Sequence, residues 1–254
     1  MGITPGTGEP IIEPLEILRS KEARVPCERF ILTFTKYTFR RIKRLLSNVE
    51  RAGLYVPATD SIKGEYKGVE VCATKPYFGA VASAMALELL IAAGARKFIV
   101  VGEAGALHPS LRIGDILIPT WGIREEGVSY HYMPPDYTPR PSPKLVSILE
   151  EELKRIKGRR RMCVVKGGVW TTDAPFRETR DKVRRYSKMG VLGVEMEATA
   201  LMTIAEYRNV DLAVVLSISD ELYGEKWNPG FGTRKLRRTE RLVVEAALNA
   251  IVKA

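Results

Sequence analysis

The stretch Gly193-Val194-Glu195-Met196-Glu197-Ala198-Thr199-Ala200-Leu201 sets the end of a strand against the start of an apolar helix, with two carboxylates straddling a methionine at the turn. A carboxylate taken out of water costs several kcal/mol unless it is paired or hydrogen-bonded. Glu197 heads an Ala/Leu/Met-rich segment that runs to Tyr207, so it needs a partner, and the vicinal hydroxyls of a sugar would serve. Downstream, the apolar run Leu212 to Ile218 ends at Ser219-Asp220. That puts a second carboxylate at the carboxyl end of a strand, where open α/β sheets collect ligands. Glu197 and Asp220 are therefore expected to share one cleft.

The same strand-to-helix alternation extends in both directions. Phe30 to Thr35 reads as a strand, with Thr38 as cap of a helix from Phe39 to Leu46. Val69 to Thr74 reads as a strand, Ala80 to Ala93 as a buried helix stopped by Gly94, and Phe98 to Val101 as the next strand. Short strands are expected at Ile116 to Pro119 and Trp121 to Arg124. Pro134, Pro135, Pro139 and Pro141 then impose an extended loop from Met133 to Ser142. Leu145 to Ile156 reads as a helix, Cys163 to Val169 as a strand and Thr239 to Val252 as a terminal amphipathic helix. Residues 1–26 carry Gly, Pro and Glu with little periodicity and read as an arm packed on the body or on a neighbouring subunit. Residues 27–254 are then one α/β domain, a twisted mixed central β-sheet flanked by helices.

A chain of 254 residues, 45% hydrophobic and 28% charged, has enough apolar material for a sizeable core and is too apolar for general disorder. Its longest apolar run, Ala80 to Ala93, contains Ser83 and Glu88 and falls short of the roughly 20 residues a membrane span requires. The first residues lack the pattern of a signal peptide, so a cytoplasmic location is the default expectation. The three cysteines, Cys27, Cys72 and Cys163, are isolated and odd in number. That argues against a disulfide framework or zinc site and for buried, reduced thiols. The net charge of +10 would attract anions. It is concentrated in Arg40-Arg41-Lys43-Arg44, Lys157-Arg159-Arg160-Arg161, Lys182-Arg184-Arg185 and Arg234-Lys235-Arg237-Arg238-Arg241. Each run lies on or beside an expected helix, so solvated helix faces account for them, and no RNA-binding aromatic motif accompanies them.

Several motifs in order carry a family resemblance over roughly residues 65 to 225. They are Gly79 to Glu88, Val101-Gly102-Glu103-Ala104-Gly105-Ala106-Leu107, Gly114-Asp115-Ile116, Thr171-Thr172-Asp173, Val194-Glu195-Met196-Glu197 and Ser219-Asp220. With them the chain resembles the nucleoside phosphorylases of the purine nucleoside and uridine phosphorylase type, a superfamily that also contains nucleosidases. The resemblance implies cleavage of a ribonucleoside at its N-glycosidic bond, by phosphorolysis to free base and ribose 1-phosphate. It implies no metal and no organic cofactor, with inorganic phosphate as co-substrate, and a homo-oligomer, trimeric or hexameric.

Breaking that bond builds positive charge on the sugar and negative charge on the base, so groups are needed opposite each. By the resemblance, Glu197 would accept the ribose hydroxyls, with Glu195 beside it and Met196 against the sugar. Asp220 would protonate a purine at N7 as general acid, a group that uridine phosphorylases generally lack. A strand-end carboxylate capping the following turn is the structural alternative for Asp220. Thr172, Phe176 and Arg177 fall where relatives contact the base, Phe176 either stacking on it or packing in the core. His131 either touches substrate or anchors its loop. Gly79, Gly102 and Gly105 would let the backbone approach the ligand, Gly79 and Gly102 at the phosphate.

The phosphate motifs are the chief departure. Relatives carry Gly-Asp-Pro-x-Arg after the first strand, where this chain reads Thr35-Lys36-Tyr37-Thr38-Phe39-Arg40, leaving Arg40 as the one match. A second arginine is replaced by Val100, and the hydroxyl residue of the glycine turn by Glu103. A carboxylate there repels phosphate. Glu103 is then either the general base of a hydrolytic nucleosidase or the partner of Arg40 or Arg41 in a modified anion pocket. A nucleoside-binding protein without turnover is the remaining alternative.

Overall fold

The computed structural model describes residues 5–20, 27–53, 56–158 and 160–254. Part of the expected arm, residues 1–4 and 21–26, and Arg159 of the second basic run lie outside them. The described part of the arm contains a short helix, α1 (Pro14–Ser20), which packs on α3 (Ala80–Ala92).

The first half of the chain runs β1 (Arg29–Thr33), α2 (Lys36–Leu45), β2 (Ser47–Arg51), β3 (Ala58–Tyr66), β4 (Val69–Pro76), α3, β5 (Lys97–Ala106) and β6 (Ile116–Glu125). The second half runs α4 (Pro143–Lys157), β7 (Val164–Thr172), α5 (Arg180–Lys188), β8 (Val191–Glu195), α6 (Ala198–Tyr207), β9 (Asp211–Glu221), β10 (Asn228–Pro229) and α7 (Arg234–Lys253). The alternation read from sequence is present, with three local differences. Thr35, not Thr38, caps α2: its hydroxyl accepts from Thr38 N, while the Thr38 side chain is buried against Thr33. The two short strands expected around residue 120 are one strand, β6, with a register shift between Pro119 and Trp121. The hairpin β2–β3 was not anticipated, because β2 is a solvent-facing edge with no apolar alternation.

The ten strands among the described residues belong to one mixed sheet, ordered β10-β9-β6-β7-β8-β5-β1-β4-β3-β2, and β9 additionally pairs in parallel with β5. That extra pairing closes β5, β8, β7, β6 and β9 into a ring, from which β1, β4, β3 and β2 extend as an open wing. Residue alternation sorts the core into two layers. Phe30, Leu32 and Phe98 face α3 and α6, where Leu87, Leu201 and Met202 are buried. Ile31, Ile99 and Val101 face α4 and α7, where Leu149, Val243 and Leu248 are buried. The product is a single mixed α/β domain, its sheet curled on itself with helices on both faces.

The cysteines correct an expectation. Cys27 and Cys72 form a disulfide, with Cα atoms 6.2 Å apart, and Cys163 is free and exposed. Parallel pairing of β1 with β4 draws the two residues together across 45 positions of sequence, a proximity that spacing alone does not reveal. No helix among the described residues is long and apolar enough to cross a membrane.

Candidate active site

The candidate site lies where the carboxyl ends of β5, β7, β8 and β9 meet, with Gly105 between β8 and β9. Gly105 pairs with Val194 of β8 on one side and with Asp220 of β9 on the other. A Cβ at this position would collide with Leu222 and come within 3.1 Å of Asp220 Oδ2, so the close approach of the two strands requires glycine.

On the β8 side, Glu195 and Glu197 are both buried but differently employed. Glu195 Oε2 accepts from the backbone N–H groups of Glu197 and Ala198, each at 2.7 Å, and Oε1 accepts from Thr171 Oγ1. Thr171 Oγ1 in turn accepts from Thr199 N at 3.0 Å. Glu195 thus satisfies the exposed donors at the start of α6, and its carboxylate is spent on the scaffold. Among the described residues Glu197 is held by the backbone alone: Oε1 accepts from Gly79 N at 2.6 Å, and the Met196 N–H also bears on its carboxyl. Burial and then the neighbouring Glu195 push its carboxyl up to about 8. Burial likewise pushes Glu195 up to about 7. Met196, between them, is half-buried.

Gly79 therefore meets a carboxylate at its backbone N–H. Its φ of +95° is a conformation that side-chain-bearing residues rarely adopt. Gly79→Ala is expected to strain this turn by about 1–3 kcal/mol and to misplace the Glu197 partner. Thermal unfolding should show a lower Tm, and kinetics a raised KM for nucleoside.

On the β9 side, Asp220 is buried, accepting from Ser219 Oγ at 2.6 Å and from Trp227 Nε1 at 2.8 Å. Two acids that the sequence reading did not combine with it come close. Glu178, in the loop after β7, is pushed up to about 7 by burial and by Asp220. Glu103 on β5 is pushed up to about 8, first by burial, then by Glu240 of α7. Glu240 is almost wholly buried and takes both its oxygens to Arg237 Nη1, at 3.1 and 3.2 Å. Arg237 lies 4.1 Å over the ring of Tyr37. The partner of Glu103 is thus Glu240, backed by Arg237, rather than Arg40 or Arg41. Two carboxyls in contact cannot both ionise cheaply, so the pair retains a proton.

That proton has a stability consequence. A carboxyl raised from 4.5 to about 8 on folding contributes stability that is fully present below the unfolded value and is lost as pH rises through the folded one. Tm should fall between pH 5 and pH 9, and Glu103→Gln, which stays neutral, should flatten that slope. An unchanged slope would mean that Glu103 holds no such proton.

The remaining expected residues scatter around this core. Thr172 is buried and its Oγ1 accepts from Ala174 N at 3.1 Å, shaping the turn after β7. Phe176 is 100% exposed, which removes core packing as its role. Arg177 is exposed beside it. His131 is exposed, and its ring makes no hydrogen bond among the described residues. The loop it was expected to anchor is held by Arg124, which donates to Ser129 Oγ, Met133 O and Pro134 O, and by Glu126, which accepts from Val128 N, Ser129 N and Thr199 Oγ1. His131 instead lines an apolar cleft of about 560 Å³ with Ile17, Val81, Met85 and Val128. Gly102 is glycine because a Cβ would fall 2.9 Å from Leu216 Cδ2. Arg40 is exposed on α2, without an acidic partner among the described residues.

Comparison with known proteins agrees with this architecture. Residues 28–252 match the profile of the phosphorylase superfamily. The DeoD-type purine nucleoside phosphorylase of Caldanaerobacter subterraneus subsp. tengcongensis is 29% identical over 161 residues, 63% of this chain and 68% of that protein. The corresponding protein of Bacillus cereus is 28% identical over 192 residues, 74% of this chain and 78% of its own. Among solved structures, uridine phosphorylase from Vibrio fischeri superposes with a TM-score of 0.81 at 24% identity, covering 92% of this chain and 98% of that one. Purine nucleoside phosphorylase from Toxoplasma gondii in complex with immucillin-H gives 0.81 at 17% identity, covering 98% of each chain. The chain belongs to the phosphorylase superfamily.

Proposed function

We propose that this protein cleaves the N-glycosidic bond of a purine ribonucleoside, by phosphorolysis to free base and ribose 1-phosphate. The observation that carries the reading is that one glycine, Gly105, is flanked by the strands that deliver Glu197 and Asp220. A nucleoside laid across Gly105 presents its ribose hydroxyls to Glu197 and its base to Asp220. Glu197 fixes the sugar while positive charge grows on it, and Asp220 donates a proton to the departing base. Met196 packs against the ribose and Phe176 offers a face for the base. No organic cofactor or metal is required, and inorganic phosphate is the second substrate. The two relatives quoted from bacteria are named purine nucleoside phosphorylases, which supports the purine assignment.

One observation favours a second reading, hydrolysis. Glu103, two residues before Gly105 on β5, has the carboxyl of Glu240 as its neighbour, which disfavours an anion there, and water needs no cationic pocket. Inosine, adenosine and uridine, each incubated with and without phosphate, separate the two. Phosphate-dependent release of base with ribose 1-phosphate supports phosphorolysis; phosphate-independent release with free ribose replaces it by hydrolysis. No release from any of them would sink both.

A homo-oligomer in the cytoplasm completes the proposal, with α1 lying against α3 of its own subunit. Tyr77, Phe78, Val81 and Met85 are exposed along and just before α3, beside Gly79, and a second copy would cover them.

A further inference from the structure

We propose that Trp227 is the closing wall of the base site, its indole face stacking on the purine while its N–H holds Asp220 in position to donate. The inference rests on the nucleoside reading above and adds a residue outside every motif that carried it. Large aromatic side chains are usually buried by their own protein, yet Trp227 is 60% exposed with its polar atom committed inward. Nε1 donates to Asp220 Oδ2 at 2.8 Å, so the carboxyl lies at the edge of the ring, and much of the indole is left in solvent. Phe231 lies beside it, ring centres 6.1 Å apart and tilted by 53°, and is also exposed. Two exposed aromatics beside a buried acid are what a planar, partly apolar ligand with a proton acceptor on its edge would meet.

The placement does not come from a loose loop. β10 pairs antiparallel with the end of β9, setting Asn228 opposite Glu221 and Pro229 opposite Asp220. Asn228 Nδ2 donates to Glu221 Oε2 at 3.0 Å and Gly230 N donates to Ser219 O at 2.9 Å. A Cβ at Gly230 would sit 2.7 Å from Ser219 O, so the return of the chain over Asp220 is close enough to demand glycine. Upstream, the Arg180 guanidinium donates to Glu225 O and ties the bend before Trp227 to α5. The hairpin thus aims the indole at one carboxyl.

Trp227 also divides the work of that carboxyl. Oδ2 is held by the indole N–H, while the Ser219 hydroxyl that reaches Oδ1 can turn its proton to Ala104 O, which makes Oδ1 the oxygen that can carry a proton toward the base. In the step itself, the C1′–N9 bond breaks, its electron pair passes to the base, and the proton on Oδ1 moves to N7. Glu178 and Glu103 are the other acids facing Asp220, and Trp227 and Ser219 are its neutral donors.

The test uses wild type, Trp227→Phe, Trp227→Ala and Asp220→Asn, with folding checked by thermal unfolding. Hypoxanthine titrated into wild type should quench tryptophan emission saturably, and the quench should vanish in Trp227→Phe, which retains Trp121 and Trp170. With inosine, Trp227→Phe keeps a ring without the N–H and should leave KM within about threefold while lowering kcat about tenfold. Trp227→Ala should raise KM about tenfold as well, the loss expected for one stacked base. Equal quenching in wild type and Trp227→Phe, or wild-type kcat and KM in both Trp227 variants, overturns the proposal. If Asp220→Asn retains full activity, the general-acid reading falls on its own account, and the quench still decides the stacking.

Discussion

Replacing Glu197 with alanine is expected to lower kcat/KM by about a thousandfold or more, equivalent to roughly 4 kcal/mol of transition-state stabilisation, while leaving the fold intact. The effect is large because Glu197 is held by backbone N–H groups alone, those of Gly79 and Met196, with no side-chain partner among the described residues that would neutralise it. Glu195 cannot substitute, since its two oxygens are taken by the start of α6 and by Thr171. The buried carboxyl, raised to about 8, must ionise to accept hydrogen bonds from two hydroxyls, so kcat/KM should climb as pH rises through that value. Glu197→Gln, which retains shape and loses the charge, should abolish that climb. A folded Glu197→Ala protein with wild-type kcat/KM would refute the sugar-binding role.

The second large effect is expected at Asp220. Asp220→Asn preserves an acceptor for the Trp227 N–H but cannot deliver a proton, and should slow purine nucleoside cleavage by about 10²- to 10⁴-fold, the usual span for general acid catalysis. The discriminating substrate is p-nitrophenyl riboside, whose leaving group departs without protonation. Its rate should fall far less than that of inosine. Equal losses on both substrates would make Asp220 a positioning group for the sugar or the hairpin instead of an acid.

The alternation of strands and helices was legible because parallel strands buried on both faces read as apolar runs, as in Phe98 to Val101 and Leu212 to Ile218. The strand β2, with Ser47, Asn48, Glu50 and Arg51 in solvent, carries no such signal. The candidate acids at 197 and 220 were legible because each interrupts or ends an apolar stretch. Their companions were not: Glu178, Glu240 and Trp227 reach the rim from a loop, a helix and a hairpin, and only the folded chain brings them there. The helix-capping duty of Glu195 did have a local signal, an acid three residues before Ala198, which the sugar-binding expectation overshadowed. The disulfide of Cys27 and Cys72 depends on the β1–β4 pairing, which spacing does not encode.

The double engagement of β9, with β5 along one edge and β6 along the other, makes the rim a hoop. In an open sheet, a strand end can splay, and the gap between groups on neighbouring strands can breathe. In a hoop each strand is clamped from both sides, so widening one gap means stretching several ladders of hydrogen bonds together. The interval between the end of β8, which leads into Glu197, and Asp220 on β9 therefore behaves as a gauge block of fixed width. Adaptation to a different base or sugar substituent must fall to the parts outside the hoop: the proline-rich loop, the turn carrying Phe176 and the Trp227 hairpin.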